Sequence, residues 1–146
     1  MTNKPAVLGQ YVGLKDSSID VATWTVRDIR VDTGCPNDSV SANKNGHTIL
    51  ADVELVTGPD YEPSQFPNLL SPFKGNAWSI VGPDGVTETA ITTPHSYGCA
   101  SVDYPDAMNS ASRYQFTLAF DSRNPTGTLV SELRAGTSRI GWTWAY

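Results

Sequence analysis

Two cysteines, two histidines and two methionines are all that this 146-residue chain offers to a soft metal ion. A blue-copper centre on a β-sandwich takes two histidines, a cysteine thiolate and a weak axial ligand. His47, His95, Cys99 and Met108 supply those residue types. No histidine follows Cys99, however, and a disulfide at Cys99 removes the thiolate, so neither a metal site nor any other cofactor is expected. Catalytic motifs are equally sparse. There is no Gly-x-Ser-x-Gly, and a Ser-His-Asp set drawn from so many serines has no placed nucleophile to anchor it, so no catalytic residue is assigned. The Asp-x-Asp-x-Asp-Gly calcium loop is also missing, which leaves Asp60, Glu62, Asp103 and Asp106 as solvated loop charge.

Charge of one sign is scarce too. Ten Lys and Arg against 15 Asp and Glu give a net charge of −5, with no basic run, which excludes the footprint of a nucleic-acid binder. No stretch approaches the roughly 18 consecutive apolar residues of a membrane span. No segment carries a sustained 3.6-residue period, and there is no internal repeat.

What the chain has instead is alternation. In the terminal segment Ile140, Trp142, Trp144 and Tyr146 share one parity while Gly141, Thr143 and Ala145 take the other, so a strand there has one apolar face. The same pattern occurs at Tyr114, Phe116, Leu118 and Phe120, and at Ile49, Ala51, Val53 and Leu55. Further strands are expected over residues 7–14, 20–32, 77–81, 86–92 and 128–133. In residues 20–32, Trp24 and Val26 have one parity and Ile29 and Val31 the other, which predicts a β-bulge at Arg27-Asp28. Turn chemistry separates these segments at Asn45-Gly46, Gly82-Pro83-Asp84-Gly85 and Arg123-Asn124-Pro125-Thr126-Gly127. Twelve glycines, ten prolines and only 17% charged residues fit many short connections. The expectation is a single all-β domain over residues 1–146, of about eight mainly antiparallel strands in two packed sheets.

Cys35 and Cys99 lie beside turn residues and outside any C-x-x-C motif. An even number of cysteines in such a domain points to one disulfide and an oxidising compartment. Residues 1–5 lack the apolar core of a signal peptide; replacement of an export signal by a starting methionine produces the same beginning, and the cysteines favour export. The longest loop, residues 57–76, carries four prolines and several large side chains. Tyr61 and Phe66 are expected to contribute to a partner-binding surface, while Leu69, Leu70 and Phe73 anchor the loop to the core.

The Trp24 strand, the alternation of residues 47–56, the Gly82-Pro83-Asp84-Gly85 hairpin, the Tyr114-to-Asp121 strand before a proline turn and the closing Trp142/Trp144 strand together resemble one known group. It is the immunoprotective extracellular protein family of mycobacteria, with the related domain of unknown function in secreted lipoproteins of Gram-positive bacteria. The resemblance implies an immunoglobulin-like β-sandwich that is extracellular or held at the cell envelope, with membrane attachment only through a lipid anchor. It brings no catalytic residues. The chain departs from the mycobacterial member in its Cys35/Cys99 pair and its longer middle loop. The expected function is a non-enzymatic binding or interaction module with a protein partner on the host or cell envelope. The alternatives are a carbohydrate-binding β-sandwich module and a small β-fold hydrolase.

Overall fold

The protein is described by a computed structural model covering residues 3–16, 19–37, 41–64, 73, 77–101, 103–135 and 138–146. It is a β-sandwich. One sheet contains β2 (Val12–Asp16), β3 (Ile19–Val31), β4 (His47–Thr57) and β7 (Arg113–Ser122), in that order and antiparallel throughout. The other runs β1 (Lys4–Pro5), β9 (Ser138–Ala145), β8 (Thr128–Ala135), β5 (Trp78–Val81) and β6 (Thr87–Glu88), with only the β1–β9 pair parallel. One short helix, α1 (Pro94–Cys99), lies between β6 and β7. No helix among the described residues is long and apolar enough to cross a membrane.

Alternation places the large side chains between the sheets. Trp24 on β3 meets Trp142 on β9 edge to face with centroids 5.1 Å apart, and Trp78 on β5 lies against Trp144 on β9 at 5.8 Å and Phe120 on β7 at 5.5 Å. Such ring pairs add about 0.5–1.5 kcal/mol each beyond their area burial. The terminal strand is interior to its sheet, and Trp142 and Trp144 both face the core, 6% and 1% exposed. The bulge sits where the change of parity placed it: Val26 pairs with Val53 and Asp28 with Asp52, so Arg27 is the extra residue. The insertion returns Ile29 to the inner face opposite Ala51.

Three expectations are corrected. The strand over residues 7–14 begins only at Val12, because Gly9, at φ +85°, turns the chain and leaves Val7 and Leu8 exposed. The arm over residues 86–92 pairs for only two residues, Thr87 and Glu88. The polar stretch after residue 92 contains α1, whose start has clear local causes. Thr93 is the N-cap, its hydroxyl accepting from Ser96 N, and the Ser96 hydroxyl accepts in return from Thr93 N at 2.7 Å. Pro94 opens the first turn, where its missing N–H has no partner to lose.

Candidate functional site

The inner face of β3–β4–β7 is core, so function is sought on the outer face of the same sheet. On β4 the outward row is Thr48, Leu50, Asp52 and Glu54, and on β7 it is Gln115, Thr117, Ala119 and Asp121, paired in register. The two ends of this face differ completely.

At the Thr48 end the sheet is covered. Leu50 and Cys99 are fully buried and pack with Ala119, Cys35 and Ala100 in a small apolar cluster beneath α1. Cys35 and Cys99 are joined by a disulfide, Cα atoms 4.9 Å apart. His95, 6% exposed, bonds the Ser41 carbonyl through Nδ1 and the Thr48 hydroxyl through Nε2 at 2.7 Å. Asp121, with no exposed surface, accepts from Lys44 N at 2.7 Å, Asn45 N at 2.9 Å and the Thr93 hydroxyl at 2.8 Å. Burial alone pushes the Asp121 carboxyl up; the two backbone N–H groups and the Thr93 hydroxyl outweigh it and hold it below the usual range. These contacts pin residues 41–46 and the start of α1 onto the sheet.

At the Glu54 end the face is polar and its surroundings are open around Asp52. Glu54, 5% exposed, accepts from the Tyr11 hydroxyl at 2.9 Å, from Arg27 at 3.0 Å and from Gln115 at 3.0 Å, with Arg113 3.4 Å away. The Gln115 amide and the Tyr11 hydroxyl keep its carboxyl below the usual range. The same bond raises Tyr11. One turn of the pleat further on, Asp52 accepts from Arg30 at 2.8 Å and Thr117 at 2.7 Å. In front of these side chains is a groove of ≈ 410 Å³ lined by Arg27, Asp28, Asp52, Ser101, Asp103 and Gln115, among others. Its wall beyond β7 is the chain after α1, held by Ser101 N donating to Thr117 O at 3.0 Å.

Chemically, the groove presents fixed donors and acceptors. Glu54 is held ionised, so it does not serve as a proton donor near neutrality. Tyr11, 49% exposed, bonds Glu54, and Val7 and Leu8, 69% and 44% exposed, lie on the turn that leads to it. Gly9 N donates to Val26 O at 2.9 Å and ties that turn to β3 beside the bulge.

Sequence reasoning placed its recognition residues elsewhere. Tyr61 is 4% exposed and belongs to the main core, and burial raises its hydroxyl pKa. It is thus a core residue where an exposed partner-binding ring was expected. Phe66, Leu69 and Leu70 lie outside the described residues. Phe73, 2% exposed, fills the space between Trp24 at 5.2 Å and Phe116 at 5.7 Å, as the anchoring role requires. The groove was missed although its parity is legible, since Asp52 and Glu54 alternate with core residues along β4. Asp121 and the approach of His95 to Cys99 were missed because α1 was.

Compared with protein-family models, with curated proteins and with solved structures, the chain finds no match in any of the three.

Proposed function

We propose that this chain is an exported binding module of immunoglobulin-like architecture, without catalysis of its own, and that its recognition surface is the groove on β3, β4 and β7 together with Tyr11, Val7 and Leu8. The observation that carries this reading is the Glu54 constellation, in which Tyr11, Arg27, Gln115 and Arg113, from β3, β7 and the residue before β2, are held around one carboxylate on β4 beside the groove. A constellation already ordered by its own pairs loses little side-chain entropy on binding. The disulfide supports the export part of the reading, as does the resemblance to the secreted mycobacterial family.

The ligand is a protein surface. Tyr and Arg are the residue types enriched where binding energy concentrates, and here Tyr11, Arg27 and Arg113 are all substantially exposed beside two exposed aliphatic side chains. A glycan platform needs successive exposed rings. Among the described residues the large exposed aromatics are Tyr11 and Tyr97, and Tyr97 is on α1.

Site-specific photocrosslinking tests the proposal. A photoreactive residue at Gln115 or Tyr11, incubated with host or cell-envelope extract, is expected to trap a discrete protein, whereas one at the exposed Val86 of the β5–β6 hairpin traps none. Arg27→Glu is expected to abolish trapping. Equal trapping at Val86, or none at the groove positions, refutes the assignment. Loss of trapping on adding soluble envelope polysaccharide moves the reading to a carbohydrate module.

A further inference from the structure

Helix α1 brings a second constellation together at the covered end. His95 and Cys99 are four residues apart on its buried side, and the disulfide carries Cys35 to the same point. A ring nitrogen of His95 and the two sulfurs lie within 4.8 Å of one another. Tetrahedral zinc, with Zn–S near 2.3 Å and Zn–N near 2.0–2.1 Å, requires ligand atoms about 3.5–3.8 Å apart. Reduction frees the two sulfurs to separate toward that spacing.

One bond of His95 is of the kind that orients a metal-binding imidazole. A carbonyl oxygen only accepts, so the bond to Ser41 O puts the proton on Nδ1. In the neutral ring this leaves the lone pair on Nε2, where the Thr48 hydroxyl now meets it at 2.7 Å. An imidazole whose other N–H donates to a backbone carbonyl is the usual outer-shell arrangement of metal-bound histidine. Thr48 Oγ1 also accepts from the Asn43 amide at 3.4 Å.

We propose that Cys35, His95 and Cys99 form a zinc site when their disulfide is reduced, with two thiolates, one imidazole and a water as the fourth ligand. The reductant is a dithiol. Its first thiolate attacks one sulfur of the Cys35–Cys99 bond, and its second closes the dithiol's own disulfide, leaving Cys35 and Cys99 as thiols after transfer of two electrons and two protons. Zinc then displaces the two thiol protons. The disulfide and the metal are mutually exclusive, so the same three residues staple the loop under oxidising conditions and bind metal under reducing ones. This site is independent of the groove.

The test uses the full chain reduced by a phosphine under anaerobic conditions, with Co(II) as the spectroscopic probe. Tetrahedral d–d bands and a thiolate-to-cobalt charge-transfer band are expected, saturating at one cobalt per chain and removed by zinc, while the oxidised protein gives neither. Cys35→Ser should weaken the charge-transfer band, and His95→Gln should lower affinity at least about tenfold. Thr48→Val, which removes the competing hydroxyl, is expected to bind at least as tightly as the parent. Tryptophan fluorescence reports folding in parallel; if reduction unfolds the chain, zinc must restore the native signal, because binding and folding are then linked. Absence of the bands from folded reduced protein, failure of zinc to refold an unfolded one, or unchanged affinity in both Cys35→Ser and His95→Gln overturns the proposal.

Discussion

Leu50 and Asp52 are two residues apart on the same strand and point to the same side of the same sheet, yet one is fully buried and the other lines a solvent groove. The difference is what lies above them. Over Leu50 sit α1 and the loop that Asp121, His95 and the disulfide hold down. Over Asp52, among the described residues, lies the groove. A sheet face therefore has no fixed character along its length; its cover assigns it, and a small number of polar and covalent attachments holds the cover in place.

Removing an attachment breaks this contrast most sharply. Asp121→Ala deletes three hydrogen bonds to a buried carboxylate, and at roughly 1.5 kcal/mol or more each the expected loss is about 4–5 kcal/mol by chemical denaturation. A change below 1 kcal/mol would show that the loop stays down without it. The double variant Cys35→Ser/Cys99→Ser opens a covalent loop with a sequence separation of 64, and is expected to lower stability by about 2–4 kcal/mol.

Leu50→Ala and Asp52→Ala sharpen the comparison within one strand. The first empties a buried site and should cost about 2–4 kcal/mol. The second removes pairs with Arg30 and Thr117 at a partly exposed position and should cost about 1 kcal/mol or less. Similar values for the two would mean that the ends of the face are equally covered.

Acid separates the ends more gently. Asp121 and Glu54 both have folded pKa values depressed below their unfolded ones, about 3.9 and 4.3. The stability they contribute is present above those unfolded values and is lost as pH falls through the folded ones. Unfolding free energy should thus decline below pH ~4, and Asp121→Asn should flatten that decline. An acid limb identical in the variant would exclude Asp121 as its source. The smallest effect is expected for Arg27→Ala, whose guanidinium side chain is 56% exposed: a change of about 1 kcal/mol or less in stability, set against a marked loss of trapping at the groove.

Much of the frame was legible because strand period and turn chemistry are local. Trp142 and Trp144 face inward because their neighbours alternate with them. The bulge at Arg27 was readable because an inserted residue is the way a strand with a parity change keeps one apolar face. Phe73 was identifiable as an anchor because a large apolar side chain in a proline-rich loop has few other places to go. Tyr61 was misplaced for a related reason: nothing in its local sequence distinguishes an exposed ring from one that folds back.

The sequence by itself determined that this is a β protein, which side of each long strand is apolar, where the chain turns and that two cysteines were available to pair. Tertiary structure alone decided which outward-facing residues are covered and which meet solvent. It brought Arg27, Glu54 and Gln115 from three strands together with Tyr11 just before β2, and His95, Cys99 and Cys35 into one cluster. The physical reason is range. Alternation and turn propensity act over a few residues, whereas each of these groupings joins positions brought together only by sheet register and by the placement of a helix on a face.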